Sequence, residues 1–297
     1  MTNPNVTNPN AASPVRRSSP ADSSAGLVAV TTATGKIGRR VLRNLESLGP
    51  AGRAGSRRGP LRFDWHDPAT WPGFVAGASA VFVAYVPDIG FPGAASTLAA
   101  FGRICRRENV STVVLLSGRG EPGAERSEQA LAAEVGPITV VRGSWFQQNF
   151  SESFLRDPVL DGVIALPAGE ITEGFVDAED VAAVVTAGLL DPARHRGRCY
   201  ELTGPDLLSF AAVAEILAEA TRRPVRYVPV SPADYVGQAV AAGMDPTEAR
   251  AYAELFSVIT DGRNERLTGD VAAVLGREPS SLAGYATAAV ASGVWDR

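Results

Sequence analysis

Between residues 27 and 203, short β-rich runs alternate with helical stretches at the spacing of βαβ units. Runs such as VFVAYV and TVVLLS are apolar on both faces, which is typical of parallel strands covered by helices on both sides. Strands are predicted at residues 27–31, 53–56, 61–63, 80–86, 111–117, 138–142 and 199–203. Helices are predicted at residues 37–48, 68–75, 94–108, 125–134 and 178–190. The pattern predicts an α/β fold with a doubly wound parallel sheet.

After about Gly204 the pattern becomes mostly helical. Helices are predicted at residues 208–221, 232–242, 246–258, 270–275 and 281–291, with one strand-like run at 225–230. Because ligands of open α/β sheets bind beyond the carboxyl ends of the strands, we expect this part to cover such a crevice. We therefore expect a disordered leader at 1–25, rich in Asn, Pro, Ser and Thr, a dinucleotide-binding domain at 26–204, and an interleaved substrate-binding region at 205–297.

Composition and charge exclude several classes of protein. A net charge of −4 gives no basic surface for nucleic acid, and the longest apolar runs fall far short of the roughly 20 residues of a membrane-spanning helix. The two cysteines and two histidines lack metal-ligand spacing, so no metal is expected. Without an export signal or a disulfide framework, we expect a cytoplasmic protein whose partner is a small-molecule substrate, and for its assembly we consider a homodimer.

The most specific motif follows the first predicted strand, in the segment VAVTTATGKIGRR. A glycine turn between a strand and a helix lets backbone N–H groups approach a pyrophosphate, and Gly35 and Gly38 suit that role. The first glycine of a G-x-x-G-x-x-G loop is replaced by Thr32. If the turn requires a positive φ there, a β-branched residue costs about 1–2 kcal/mol.

Two adjacent arginines, Arg57 and Arg58, follow the second predicted strand. Guanidinium groups at this strand end suit the 2′-phosphate of an NADP-type cofactor. No acidic residue stands at that strand end to hold a ribose 2′-hydroxyl, so the sequence favours NADP(H) over NAD. The alternative is that both arginines are ordinary solvated loop charges.

The chain resembles the NmrA-like, atypical short-chain dehydrogenase/reductase family, particularly its NAD(P)-binding, quinone-reductase-like members. The resemblance is carried in the family's order by TTATGKIGRRV, RAGSRR, RFDWHDPATW, VVLLSGRG, VVRGSWFQQNF, IALPAGEITEGFVDAEDVAAV and YELTGPDLLSFAAVAEIL. It implies a Rossmann-like domain with a small, mostly helical C-terminal substrate-binding region. The cofactor-binding residues that we expect are Thr32, Thr34, Gly35, Lys36, Ile37, Gly38, Arg57, Arg58, Asp64, Tyr85 and Pro87.

The resemblance also implies a region that faces the nicotinamide and an inner pocket. Ser117 ends a predicted strand in the region that faces the nicotinamide. Residues 145–150 match the segment that lines the inner pocket. We take Ser117, Tyr85 and Gln148 as catalytic candidates that hydrogen-bond a substrate oxygen. The expected pocket residues are Trp145, Phe146, Gln147, Asn149 and Phe150. The alternative for each polar group is a helix cap or a partner for buried backbone, and for the aromatic rings it is core packing.

Other constellations of catalytic residues are absent or have a simpler explanation. The Tyr-x-x-x-Lys pair of ordinary short-chain dehydrogenases is missing, because the single lysine, Lys36, is preceded four positions earlier by Thr32. An acidic group, Asp177, Glu179 and Asp180, opens a predicted helix, where carboxylates cap free N–H groups. Helix capping is therefore the preferred interpretation of these three side chains.

We therefore expect an NADP(H)-dependent oxidoreductase that reduces a quinone, enone or related conjugated carbonyl, with secondary metabolism as one setting. Direct hydride transfer needs mainly the alignment of two rings, so it does not require the missing pair. One alternative is a non-redox lyase, isomerase or cyclase on the same fold. The other is a non-catalytic regulator that senses a dinucleotide.

Overall fold

The computed structural model of the protein describes residues 26–296, so the leader predicted at 1–25 lies outside the described residues. Its strands are β1 Val28–Val30, β2 Gly52–Ala54, β3 Ala80–Val83, β4 Thr112–Gly118, β5 Thr139–Gly143, β6 Val163–Leu166, β7 Thr172–Glu173, β8 Cys199–Leu202, β9 Leu208–Ser209 and β10 Arg226–Pro229. Its α-helices up to β8 are α1 Lys36–Leu48, α2 Trp71–Val75, α3 Ala94–Arg107, α4 Pro122–Val135, α5 Asn149–Glu152, α6 Arg156–Asp161, α7 Ala178–Leu190 and α8 Pro192–His195. The later helices are α9 Phe210–Thr221, α10 Pro232–Ala241, α11 Pro246–Ile259, α12 Asp270–Leu275 and α13 Leu282–Ala291.

Six strands form one parallel sheet in the order β2-β1-β3-β4-β5-β8. The chain passes from β1 to β2 on one side and then crosses to β3 on the other side of β1, so the strand order reverses between β1 and β3. Ligands of doubly wound folds bind at such a switch point. The predicted doubly wound sheet is confirmed, and its expected ligand crevice lies beyond the carboxyl ends of these strands.

Apolar side chains cover both faces of the sheet. On one face, Val41 of α1 and Val185 of α7 pack with strand residues such as Phe82. On the other, Phe74 and Phe101 of α2 and α3 belong to a second buried cluster. Strand positions fully buried on both faces explain the uninterrupted apolar runs in the sequence.

A third buried cluster lies mainly in the C-terminal part of the chain, but it includes residues from before Gly204. Phe150 and Phe175 pack in it together with Phe210. A two-stranded parallel pair, β6 with β10, also joins the two parts of the sequence. The C-terminal region therefore shares its core with residues 150–175, and the division at 204/205 stays a prediction.

The observed elements differ from the predicted ones in one strand and in several short elements. The strand predicted at residues 61–63 is wrong, since only one isolated bridge, between Ser56 and Arg62, forms there. Phe63 is instead buried among aromatic rings. This burial, and not a strand, accounts for the apolar residue at this position of the sequence. Six short elements were not predicted, because two to six residues are too few to show a clear period: α5, α6, β6, β7, α8 and β9.

The capping interpretation of the acidic group is confirmed at Asp177. Its side chain accepts a hydrogen bond of 2.7 Å from the N–H of Glu179 at the start of α7. Asp180 is buried and is bound by the Arg277 guanidinium and the Ser280 N–H. Among residues 26–296, no helix has the length and apolar character needed to cross a lipid bilayer.

Candidate functional site

The loop between β1 and α1 has the strained backbone that the missing glycine predicted. Thr32 has φ 49°, in the left-handed region that β-branched residues rarely adopt. Its hydroxyl donates a 2.8 Å hydrogen bond to the carbonyl oxygen of Ala84, just after β3. A Cβ on Gly38 would lie 2.4 Å from the Thr32 carbonyl oxygen, so glycine lets α1 pack directly on the loop. Gly35 is also close, with 3.1 Å from a built Cβ to the same oxygen.

Helix α1 begins with unsatisfied backbone donors. Gly35 is its N-cap, no side chain from residues 26–296 caps the helix, and its first turn holds no acidic residue. Lys36 is half-buried and forms no salt bridge with any residue of the described range 26–296. Burial lowers the pKa of its ammonium, while the charge of Glu152 opposes that effect. A free helix N-terminus beside a cation suits a phosphate group.

The other expected loop residues differ in exposure. Thr34 is exposed, whereas the Ile37 side chain is buried in the core and leaves only its backbone N–H available to a phosphate. The loop meets the end of β2 through a 2.9 Å hydrogen bond from the Ala33 N–H to the Gly55 carbonyl oxygen.

The basic pair lies just beyond that contact. Arg57 and Arg58 are exposed, and neither forms a salt bridge with another part of the chain that the structure describes. Asp64 lies on the following segment, where its carboxylate accepts a 3.0 Å hydrogen bond from the His66 N–H. That hydrogen bond lowers the pKa of Asp64. Within residues 26–296 the two guanidinium groups are therefore unpaired, close in sequence to the contact with the loop between β1 and α1.

A cavity of about 340 Å³ opens at the carboxyl ends of β3, β4 and β5. The expected site residues that line it are Lys36, Tyr85, Pro87, Ser117, Trp145, Phe146 and Asn149. Helix α11 contributes Tyr252 and Phe256 to the opposite wall. At the switch point of the sheet, one cavity thus extends from Lys36, at the start of α1, to a wall of aromatic side chains.

Of the expected cofactor-binding residues, only Lys36, Tyr85 and Pro87 line the cavity. Three of the expected catalytic and pocket residues also do not line it. The Gln148 side chain is buried and bridges to α7, donating to Asp177 Oδ1 and accepting from the Ala178 N–H, both at 2.7 Å. Gln147 is buried and donates to two backbone carbonyl oxygens. Phe150 packs in the third cluster. The catalytic role expected of Gln148 has no geometric support, because its amide is used to hold the start of a helix.

The two remaining catalytic candidates reach the cavity in different states. The Ser117 hydroxyl donates a 2.6 Å hydrogen bond to Glu128, and Glu128 is held by two hydrogen bonds from Arg142. The hydroxyl proton of Ser117 is therefore engaged with Glu128, and the Ser117 oxygen can act only as an acceptor. The Tyr85 hydroxyl makes no hydrogen bond with any residue from 26 to 296, and its ring lies 5.2 Å from that of Trp65. Of the two, Tyr85 has the free donor.

An ion-pair network holds the C-terminal wall of the cavity against the sheet. Arg119, just after β4, is buried beside the carboxylates of Glu173 and Glu201, at 3.5 and 3.3 Å. It also donates to the backbone carbonyl oxygens of Asn264 and Arg266, at 2.9 and 2.8 Å. This contact joins the end of β4 to a loop nearly 150 residues away, which no local pattern in the sequence indicates.

A pair of acidic residues, Asp88 and Glu121, also lines the cavity. Burial, together with the nearby charge of Asp88, raises the pKa of Glu121 to about 8. The pKa of Asp88 is also raised by burial. Sequence reasoning missed both residues, although each closely follows the carboxyl end of a strand that was predicted.

The comparisons with known proteins agree with this architecture. No family model matches the chain. The uncharacterized oxidoreductase YesF of Bacillus subtilis is 30% identical over 273 residues, which cover 88% of this chain and 94% of YesF. NAD(P)H azoreductase of Xenophilus azovorans is 29% identical over 291 residues, which cover 90% of this chain and 99% of that enzyme.

Two solved structures have the same fold. An NADPH-dependent quinone oxidoreductase of Escherichia coli, complexed with NADPH, superposes with a TM-score of 0.74 at 20% identity, covering 88% of this chain and 99% of that one. NmrA, a negative transcriptional regulator in complex with NAD, superposes with a TM-score of 0.67 at 16% identity, covering 90% and 98%. The sheet order, the glycine loop and the relationship to YesF place this chain in the NmrA-like, atypical short-chain dehydrogenase/reductase family.

Proposed function

We propose that the protein is an NADP(H)-dependent oxidoreductase that reduces a quinone, enone or related conjugated carbonyl. The observation that carries the proposal is the single cavity that runs from Lys36, at the phosphate loop, to Trp145 and Phe256 at its aromatic wall. A phosphate site and an apolar ring site in one crevice are what two stacked planar reactants need.

The residues of the loop fit a pyrophosphate. The first N–H groups of α1 have no side-chain cap, and side chains are absent at Gly35 and Gly38, where they would crowd the loop. Lys36 adds a positive charge without a salt-bridge partner among residues 26–296. The 2′-phosphate of NADP(H) would be bound by Arg57 and Arg58, which favours it over NAD.

The chemistry in the cavity follows from the residues that line it. When bound, reduced nicotinamide supplies the hydride, so this chain has to orient the acceptor and exclude water. The rings of Trp145 and Phe256 line the cavity and stack on each other with centroids 5.4 Å apart, so they provide an apolar aromatic wall for a conjugated acceptor. Tyr85 offers its free hydroxyl to a substrate oxygen. No Tyr-x-x-x-Lys pair exists in the sequence, and this reaction does not need one.

The relatives support a conjugated acceptor. One is named NAD(P)H azoreductase, and one solved structure of the same fold is an NADPH-dependent quinone oxidoreductase. Azo compounds and quinones share an extended π-system that accepts a hydride and a proton. That shared chemistry matches the aromatic wall better than it matches a small aliphatic alcohol.

The test is NADPH oxidation by the purified protein with a quinone, an enone, an azo dye and an aliphatic ketone as separate acceptors. We expect turnover with at least one conjugated acceptor and none with the ketone. Turnover of a substrate that persists after all nucleotide is removed would contradict the proposal and indicate a non-redox enzyme. Absence of NADPH oxidation with every acceptor would also contradict it.

A further inference from the structure

We infer that Glu121 is the acid that delivers a proton to the reduced substrate in the cavity. The inference rests on the proposed function, because it supplies the second half of the same reduction. It makes Glu121 a catalytic residue, whereas Ser117 and Gln148 have structural hydrogen bonds that engage their donors.

The position of the carboxyl group is the first support. Glu121 lines the cavity, is only 9% exposed, and its Oε2 has no hydrogen-bond partner among residues 26–296. A buried polar atom without a partner is rare in native structures. A second buried polar atom in the cavity wall, the indole Nε1 of Trp145, also lacks a partner in that part of the chain. A substrate heteroatom is the kind of group that would satisfy both.

Two glycines make room for this carboxyl group. A Cβ on Gly118 would lie 1.9 Å from Glu121 Oε1, and a Cβ on Gly90 would lie 2.9 Å from Oε2. Both glycines have ordinary φ values, so their backbone conformation does not require glycine. The space that they leave is occupied by the Glu121 side chain.

The surroundings keep the carboxyl group protonated near neutral pH. Burial is the main cause that raises the pKa of Glu121 to about 8, followed by the negative charge of Asp88, a side-chain interaction in which the protonated Glu121 donates to Asp88 and, more weakly, the charge of Glu128. A general acid works best when its pKa lies near the operating pH.

The nearby cations and the nearby phenol do not reverse this effect. The Arg119 guanidinium is turned to Glu173 and Glu201. Arg263 donates to the Gly120 carbonyl oxygen but is paired with Asp261. Tyr252 on α11 is held neutral, since burial raises its pKa to about 12.

Reduction of the acceptor requires one hydride and one proton. The acceptor receives the hydride supplied by the nicotinamide and carries a negative charge on its heteroatom. The O–H bond of Glu121 breaks, its proton goes to that heteroatom, and the carboxylate that remains takes a proton from water. The net reaction consumes one NADPH and one proton for each acceptor reduced.

The experiment compares the wild type with Glu121→Gln, Asp88→Asn and the control Glu219→Gln, an exposed position on α9. For the wild type we expect a kcat that falls above about pH 8. For Glu121→Gln we expect a kcat at least about 100-fold lower, without that alkaline limb and with NADPH affinity within about twofold of the wild type. Asp88→Asn removes a charge that raises the pKa, so its alkaline limb is expected at lower pH. Glu219→Gln is expected to match the wild type.

The protonation state is read separately by difference infrared spectroscopy. A protonated carboxyl band at pH 7 that disappears in Glu121→Gln is expected. Its absence from the wild type would overturn the inference whether or not the protein turns over any acceptor. Unchanged kcat and an unchanged pH profile in Glu121→Gln would also overturn the inference. In that case, NADPH oxidation by the wild type would leave the proposed function intact. A wild type that binds no NADPH would contradict the proposed function itself.

Discussion

The Thr32 hydroxyl donates a 2.8 Å hydrogen bond to the carbonyl oxygen of Ala84, which ties the loop after β1 to the end of β3. The same residue is held at φ 49°. A threonine that is strained in its backbone and bonded through its side chain thus stands where the family loop has glycine. The hydrogen bond compensates part of the cost of that conformation.

This balance predicts a difference between two substitutions. Thr32→Ala loses the hydrogen bond and keeps a side chain at positive φ, so its free energy of unfolding is expected to fall by about 1 kcal/mol. Thr32→Gly loses the same bond but relieves the backbone, and is expected to be more stable than Thr32→Ala by about 1 kcal/mol. Urea unfolding of both variants measures the difference. An alanine variant as stable as the glycine variant would show that the loop is not strained.

The specificity for NADP(H) depends on the arginine pair. If Arg57 binds the 2′-phosphate as proposed, Arg57→Ala removes a charge-assisted hydrogen bond worth about 1.5–3 kcal/mol, and the Kd for NADPH is expected to rise about 10- to 100-fold. The Kd for NADH should change less than about twofold. Titration calorimetry with both nucleotides measures this. Arg103→Ala, at an exposed position of α3, is the control, and equal weakening of NADPH and NADH binding would contradict the assignment.

Removing Arg119 is expected to destabilise the protein strongly. Its side chain is 1% exposed and its partner Glu173 is 5% exposed, so Arg119→Ala leaves a buried carboxylate without its cation. A broken buried pair of this kind costs about 3–5 kcal/mol, against less than about 1 kcal/mol for the exposed pair of Arg103. Chemical denaturation of the two alanine variants gives the comparison. Similar losses in both would mean that the Arg119 network does not hold the cavity wall.

Stability should depend on pH through Glu121. Its folded pKa of about 8 is raised above its ordinary value, so the folded state binds the proton more tightly than the unfolded chain does. The stability linked to this proton is fully present below the ordinary pKa of glutamate and is lost as the pH rises through about 8. Glu121→Gln cannot lose that proton. Its stability relative to the wild type is therefore expected to be higher at pH 8 than at pH 5 by at least about 1.4 kcal/mol, the value of one pKa unit.

Unfolding in urea at the two pH values measures this dependence, with Glu219→Gln as the control. A stability difference between wild type and Glu121→Gln that is the same at pH 5 and pH 8 would show that Glu121 titrates normally.

The fold and the strained turn between β1 and α1 were predictable because their signals are local. Apolar strand runs and the spacing of Gly35 and Gly38 each lie within about a dozen residues of sequence. The direction of side chains around residues 145–150 was not predictable, since one short segment sends Trp145 to the cavity and Phe150 to the core. The same ambiguity led to the assignment of Gln148.

The far wall of the cavity depends on contacts between distant parts of the chain. Phe256 lines the cavity on α11, and the loop that follows this helix is hydrogen-bonded to Arg119 through Asn264. Glu121 had a detectable signal, four residues after Ser117 at a strand's carboxyl end. The burial of Glu121 beside Asp88 could not be predicted from the sequence, because it comes from the packing of separate loops.

We propose above that the loop between β1 and α1 and the arginine pair bind NADP(H). The most direct test of this proposal is calorimetric titration of the wild-type protein with NADPH and, separately, with NADH. We predict saturable binding of NADPH with a Kd in the roughly micromolar to submillimolar range, and at least about tenfold weaker binding of NADH. No binding of either nucleotide at millimolar concentration, or tighter binding of NADH, would contradict the account.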